Sequence, residues 1–229
     1  MNPLQERLRK ARFYGILDLA YTGDRDPAEL TRQMLLGGVE IVQLRGKKAS
    51  PEQLLEIGCA VLPVCRQLGG IFIVNDHLKI AAELDADGVH VGQDDDAVAL
   101  ARAIVGSGKI VGKSTHSVGQ AVNSAAEAPD YIGVGPLYAT LTKPDYVPVG
   151  LSLIEQVKAR VQIPQFCIGG VNARTLPAVL DSGAERIVIV SAILQAPDVQ
   201  AYCRDIRNTL DARFASTPMT GDVPGAKAR

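Results

Sequence analysis

Tryptophan is absent from this chain, and aromatic residues make up only 4% of its 229 residues. That argues against stacking platforms for single-stranded nucleic acid. Excess charge of either sign is missing too: 24 Lys+Arg stand against 25 Asp+Glu, a formal net charge of −1. With no global basic field to capture a polyanion, any charged ligand must be met by local sorting of charge. Long apolar runs are lacking. Ile57 to Cys65 is mostly apolar but spans nine residues, against the ~20 a membrane helix needs. The opening MNPLQERLRK has no apolar core of the kind a secretory leader carries. Cysteine is sparse: Cys59, Cys65, Cys167 and Cys203 form no C-x-x-C pair and have no histidine at finger spacing. Reduced thiols and a cytoplasmic setting are expected. What remains is ordinary globular usage, 47% hydrophobic and 21% charged, which excludes disorder for the bulk of the chain.

Eight short, apolar, glycine-bounded runs recur: Tyr14–Leu19, Glu40–Arg45, Ile71–Asn75, Gly88–Gly92, Lys109–Ser114, Tyr131–Gly135, Gln165–Gly169 and Arg186–Ser191. Such runs read as strands buried on both faces. Helical patterns separate them. Asp26-Pro27-Ala28-Glu29 and Ser50-Pro51-Glu52-Gln53 carry an N-cap, proline at N1 and an acidic or amide residue following. Leu151–Val161 and Pro197–Phe214 read as further helices, and Asn172 as the cap of a helix holding Thr175 to Leu180. Alternating strand and helix implies parallel pairing through right-handed crossovers. Eight units predict a single (β/α)8 TIM barrel over residues 13–215. The rival, a doubly wound open sheet, is disfavoured by the count and by the lack of G-x-G-x-x-G after the first strand. Residues 1–12 are expected to cover the barrel bottom through Leu4 and Leu8, and residues 216–229 to form a flexible tail.

Barrel chemistry sits where strands end, and here those ends are polar. Strand alternation puts Gln43 and Arg45 on one face and Val42 and Leu44 on the other. The first pair reads either as an interior polar layer or as anion binding by Arg45 with Lys47, Gln43 meeting a neutral heterocycle. Asn75-Asp76 and Asp94-Asp95-Asp96 are each explicable as helix caps. Three carboxylates in a row exceed what a cap needs, and a hard divalent cation is the functional alternative. His90 should point inward and reads as a satisfied interior histidine. Ser114 is a hydrogen-bond donor to an anion, with no neighbouring base to make it a nucleophile. Gly133 and Gly135 leave interior room for a ligand or for packed neighbours. The segment 137–149, with Lys143, has the length of a lid. Gly170, near the seventh strand's end, and Val190–Ser191, at the eighth's, suit a phosphate site of backbone N–H groups.

These motifs resemble one family. Gln43-Leu-Arg-Gly-Lys47, Asn75-Asp76, Gly88-Val-His-Val-Gly-Gln-Asp-Asp95, Ser114-Thr-His116, Gly133-Val-Gly-Pro136, Thr140-Leu-Thr-Lys143, Ile168-Gly-Gly170 and Val190-Ser-Ala192 occur in the order seen in thiamine-phosphate synthases, from about Tyr14 to Leu194. The resemblance implies a Mg2+-dependent transferase of thiamine biosynthesis joining a pyrimidine diphosphate to a thiazole monophosphate, possible carboxylated thiazole included, with release of pyrophosphate. Residue by residue, it implies that Gln43, Leu44, Arg45, Gly46, Lys47, Asn75, Ser114 and Lys143 hold the pyrimidine diphosphate. Thr140, Leu141, Thr142, Gly170, Val190 and Ser191 would hold the thiazole phosphate. Asp76 and Asp95 would bind the metal, and Arg45, Ser114 and Lys143 would serve catalysis. Expected partners are these small molecules, with no nucleic acid and no membrane; a homo-oligomer is left open. The chain departs from the family at His77, where Arg is common, at Cys167, where a small residue is usual, and at Leu141. The related thiazole tautomerase, an isomerase, needs neither diphosphate nor metal residues. A non-catalytic thiazole-phosphate-binding paralogue needs them no more. Retention of Arg45, Lys47, Asp76, Asp95 and Lys143 together argues for the transferase.

Overall fold

Eight parallel strands close into a barrel in sequence order, the last pairing with the first through Phe13 and Ile187. The computed structural model describes residues 2–140 and 147–215. The order is α1 (Pro3–Lys10), β1 (Phe13–Asp18), α2 (Pro27–Leu36), β2 (Ile41–Arg45), α3 (Pro51–Leu68), β3 (Ile71–Asn75), α4 (Leu78–Glu83), β4 (Gly88–Val91) and α5 (Val98–Val105). It continues with β5 (Ile110–Thr115), α6 (Val118–Ala126), β6 (Tyr131–Val134), α7 (Ser152–Lys158), β7 (Gln165–Cys167), α8 (Leu176–Asp181), β8 (Ile187–Ile189), α9 (Ser191–Leu194) and α10 (Val199–Phe214). The (β/α)8 expectation holds.

Helix starts follow the local chemistry. The Asp26 carboxylate accepts from Ala28 N at the head of α2, and Ser50 and Gln53 form a reciprocal capping box at the head of α3. Asn172 does not cap α8 directly. Its Oδ1 accepts from Arg174 N and Thr175 N, closing a turn one step earlier, and Thr175 stands at the cap. The two C-terminal strands are shorter than their apolar runs. Gly169 (φ +97°) and Gly170 (φ +67°) turn the chain out of β7, and Ser191 already begins α9.

Strand parity sorts the core into two layers. Val42, Leu44, Phe72, Val74, Val89 and Val111 face the helices, packed with Met34, Leu54 and Val98. Tyr14, Ile16, Ile41, Ile73, Tyr131, Phe166 and Val188 fill the bore. Helix α1 covers the bottom: Leu8 is buried against the bore cluster and Leu4 packs beside it. Polar ties hold it there, Asn2 Nδ2 to the Gly108 carbonyl (2.8 Å) and Gln5 Nε2 to Asp130 Oδ1 (2.9 Å). With the bottom plugged by apolar contacts, the polar strand ends gather at the opposite rim.

Candidate active site

The rim opens on a cavity of about 140 Å3 inside the barrel mouth. Gln43, Arg45, Asn75, His90, Ser114 and Thr140 line one side of it, and Gly170, Val190 and Ser191 another. A groove of about 870 Å3, lined by Arg45, Gly46, Lys47 and Lys48, adjoins it, so Arg45 borders both. Residues at or just beyond the ends of seven strands, β2 to β8, thus meet at one place. Leu141, Thr142 and Lys143 lie outside the described residues.

The cationic part is built on β2. Arg45 sits in register with Asp18 at the end of β1, and the two form an ion pair. Asp18 is 1% exposed and Arg45 12%. Asp18 Oδ1 also accepts from Ala20 N (3.1 Å). This carboxylate holds the guanidinium from behind while Arg45 borders the cavity. Lys47 reaches across to form an ion pair with Asp76.

The acidic part comes from the next two strands. Asp76 follows β3 with φ +61°, a left-handed conformation that Asp tolerates better than most residues. Its amide donates to the His90 carbonyl (2.8 Å), and its Oδ2 accepts from Asn75 Nδ2 (2.7 Å). Burial pushes the Asp76 pKa up, and a hydrogen bond with the Asp95 carboxyl adds to that, while Lys47 opposes it. The two carboxyls therefore touch. Neither Asn75 nor Asp76 caps α4, where His77 occupies the cap position without a side-chain bond. The expected cap of α5 by an acidic residue is also not made: Ala97 stands there, and Asp95 Oδ2 instead accepts from Gly92 N (2.8 Å). Helix capping therefore does not account for these carboxylates.

Deeper in the mouth, the His90 ring lies between Tyr131 OH (2.9 Å to Nδ1) and Ser114 Oγ (2.9 Å to Nε2), so Ser114, expected to lack a neighbouring base, has an imidazole beside it supplied by the adjacent strand. It stacks on Tyr131 at 5.5 Å. Gln43 Nε2 donates to Tyr14 OH (2.7 Å). The two glycines of β6 and its end serve differently. At Gly133 a Cβ would make only ordinary contact, with a His90 ring carbon at 3.6 Å and Ser114 Cα at 3.8 Å. At Gly135 the Ile168 carbonyl oxygen comes to 2.1 Å of that point, so the backbones pack there. On the far side the Gly170 carbonyl accepts from Thr175 Oγ1 (2.9 Å) and Asn172 Nδ2 (3.1 Å), fixing the turn after β7. His116 Nδ1 meets the Gly135 carbonyl oxygen at 2.5 Å and lines the same cavity.

Sequence reading missed Asp18, Tyr14 and Tyr131. The signal for Asp18 was a lone carboxylate closing an apolar strand. For the tyrosines there was only their inward parity.

Fold and rim together define a class: a (β/α)8 barrel with ion-paired cationic and acidic side chains gathered at its mouth. Comparison with known proteins narrows it. Residues 13–193 match the thiamine monophosphate synthase family. The chain is 40% identical over 197 residues to the thiamine-phosphate synthase of Chloroflexus aurantiacus, covering 86% of this chain and 91% of that one. It is 38% identical over 207 residues to that of Halalkalibacterium halodurans, covering 90% and 98%. The solved thiamine phosphate pyrophosphorylase from Pyrococcus furiosus superposes with a TM-score of 0.82 at 29% identity, covering 90% of this chain and 99% of that one. The chain belongs to the thiamine monophosphate synthase family, transferases of thiamine biosynthesis. Among the described residues no helix is long and apolar enough to cross a membrane.

Proposed function

We propose that the chain joins 4-amino-2-methyl-5-hydroxymethylpyrimidine diphosphate to 4-methyl-5-(2-phosphoethyl)thiazole, or its carboxylated form, giving thiamine phosphate and pyrophosphate. The observation that carries this reading is the meeting of Arg45, Lys47, Asn75, Asp76 and Asp95, from three neighbouring strand ends, at one rim. In the reaction the C–O bond to the diphosphate breaks first, and its electron pair leaves with the diphosphate. The thiazole nitrogen then donates its lone pair to the pyrimidine carbocation. Such a step is governed by stabilisation of the leaving charge, and it needs no strong base. That suits a site with paired cations, in which the imidazole beside Ser114 need not act as a base.

Arg45 and Lys47 would hold the diphosphate oxygens, with Lys143 joining them from the 137–149 segment. Gly46 would meet the diphosphate through its backbone, the space of a Cβ being taken by Leu19 and Leu54; Leu44 anchors the strand among the helices, and Gln43 and Ser114 would orient the heterocycle. Thr140, Leu141, Thr142, Gly170, Val190 and Ser191 would hold the thiazole phosphate. The donor chemistry fits Mg2+: two touching carboxyls, Asp76 and Asp95, offer hard oxygen ligands, and this ion typically takes only one or two protein carboxylates. No group of three or more His, Cys, Asp or Glu able to hold a metal occurs among the described residues, so substrate oxygens and water would complete the coordination. When bound, Mg2+ would neutralise charge on the departing diphosphate. The setting proposed for this chemistry is the cytoplasm, with small molecules as partners.

The test mixes purified protein with both substrates and follows pyrophosphate. Release that requires Mg2+ is the expected result. Release undiminished by chelator overturns the metal assignment. No release under any metal condition, with conversion of a thiazole carboxylate phosphate in the absence of the pyrimidine, overturns the transferase in favour of an isomerase.

A further inference from the structure

A hydrogen-bonded chain crosses the barrel bore from Gln43 to Ser114. Gln43 Nε2 meets Tyr14 OH at 2.7 Å, and Tyr14 OH meets Tyr131 OH at 3.0 Å, although the tyrosines are 117 residues apart. Tyr131 OH meets His90 Nδ1 at 2.9 Å, and His90 Nε2 meets Ser114 Oγ at 2.9 Å. The bore is shaped for it. A Cβ on Gly112 would stand 2.1 Å from Tyr131 Cζ and 2.5 Å from its hydroxyl, so that glycine makes the space in which the phenol reaches His90.

We propose that this chain has a fixed direction, and that Tyr14, Tyr131 and His90 are positioning residues which oblige Ser114 to present its hydroxyl hydrogen to the substrate. The inference rests on reading the cavity as the pyrimidine diphosphate pocket. Its logic is donor arithmetic, since a phenol carries one hydrogen and a neutral imidazole one. Gln43 donates, so the Tyr14 oxygen is an acceptor and its own hydrogen goes to Tyr131. Tyr131 then donates to His90 Nδ1. A ring accepting at Nδ1 carries its hydrogen on Nε2 and donates it to Ser114. The Ser114 oxygen, filled from that side, turns its hydrogen into the cavity it lines. At the other end, the Gln43 amide keeps its carbonyl oxygen for the ligand. A site offering an amide acceptor and a hydroxyl donor complements an aminopyrimidine, which has exocyclic N–H donors beside a ring nitrogen acceptor. Reversal of the chain would turn both ends the wrong way. Burial pushes both tyrosine pKa values up, so each phenol is neutral with a single hydrogen to give.

Two measurements test this. Nitrogen-15 NMR of histidine-labelled protein resolves His90 among only three histidines, with His90→Gln as the assignment control. A ring protonated at Nε2 and bare at Nδ1 is expected; protonation at Nδ1, alone or on both nitrogens, overturns the proposal whatever the enzyme turns over. In steady-state kinetics Tyr131→Phe should raise KM for the pyrimidine diphosphate about tenfold, the loss of one well-placed hydrogen bond. KM for the thiazole phosphate should stay unchanged. In a Ser114→Ala background Tyr131→Phe should add nothing, because its effect passes through that hydroxyl. Additive losses overturn the proposal. Tyr14→Phe, which removes the link upstream, should behave as Tyr131→Phe does and supplies a second variant if that one fails to fold. Absence of pyrophosphate formation in the parent protein would remove the substrate reading alone, since the ring tautomer is measured without turnover.

Discussion

Replacing Asp18 by asparagine tests whether Arg45 is held in place by the strand beside it. The substitution keeps shape, and the side-chain oxygen still accepts from Ala20 N. The charge opposite the guanidinium disappears, and an amide N–H group can turn toward it. Breaking a fully buried pair from one side costs about 3–5 kcal/mol, mostly the uncompensated charge left behind. Asp18 is 1% exposed and Arg45 12%, and Arg45 borders two water-accessible spaces. Partial rehydration of the guanidinium therefore places the loss at the lower end, about 3 kcal/mol. For a chain of this size that is a fall in melting temperature of about 6–12 °C. An added anion should offset part of it. Inorganic pyrophosphate supplies the negative charge that the Asp18→Asn variant lacks, so it should raise the melting temperature of the variant by more than that of the parent. Thermal unfolding with and without pyrophosphate measures both effects. A loss below about 1 kcal/mol, the range of an exposed surface pair, or equal stabilisation of both proteins by the anion, would show that Asp18 does not hold Arg45.

Asp76→Asn should retain the fold and lose Mg2+-dependent turnover, whereas Asp76→Ala should also lose about 1 kcal/mol of stability, because Ala tolerates the left-handed backbone less well than Asn. Burial and Asp95 raise the Asp76 pKa. The associated stability is complete below the ordinary carboxylate range and is lost as pH rises through the raised value. In chelator, Asp76→Asn should therefore gain on the parent from acid to neutral pH, and a variant losing ground over that interval would contradict the burial argument. Gly169→Ala should destabilise strongly, since φ is +97° and the new Cβ would lie 2.4 Å from Pro136 Cα. Gly170→Ala meets Tyr138 Cβ at 2.6 Å and should chiefly raise KM for the thiazole phosphate; equal KM values for parent and variant would remove Gly170 from that subsite. Thiol titration of the native protein should find Cys59 alone reactive, because Cys65, Cys167 and Cys203 are buried and burial pushes their thiols up to about 12. Fast reaction of more than one thiol would count against the packing of the outer layer.

Strand number, strand order and side-chain parity were readable because parallel strands are buried on both faces and advertise themselves as apolar runs, while glycine and capped helices punctuate them. Parity alone put Gln43 and Arg45 toward the mouth and Val42 and Leu44 against the helices, as the structure has them. What escaped local reading is what closure of the barrel creates. Asp18 meets Arg45 because β1 and β2 share a register in which those two residues are partners, a relation no spacing along the chain encodes. Tyr14 and Tyr131 touch across the bore only once the sheet has closed. The acidic run before α5 misled for the opposite reason. Three carboxylates ahead of a helix satisfy every local rule for a cap, yet Asp95 bends back to Gly92 N and to Asp76, and Ala97 takes the cap position with no side-chain bond. A cap rewards one carboxylate with one or two N–H groups. The rim instead brings it against the Gly92 N–H group and the Asp76 carboxyl of the neighbouring strand end. The position of Asp95 is therefore an outcome of tertiary assembly overriding a local preference: the carboxylate that could cap α5 turns instead to Gly92 N and Asp76.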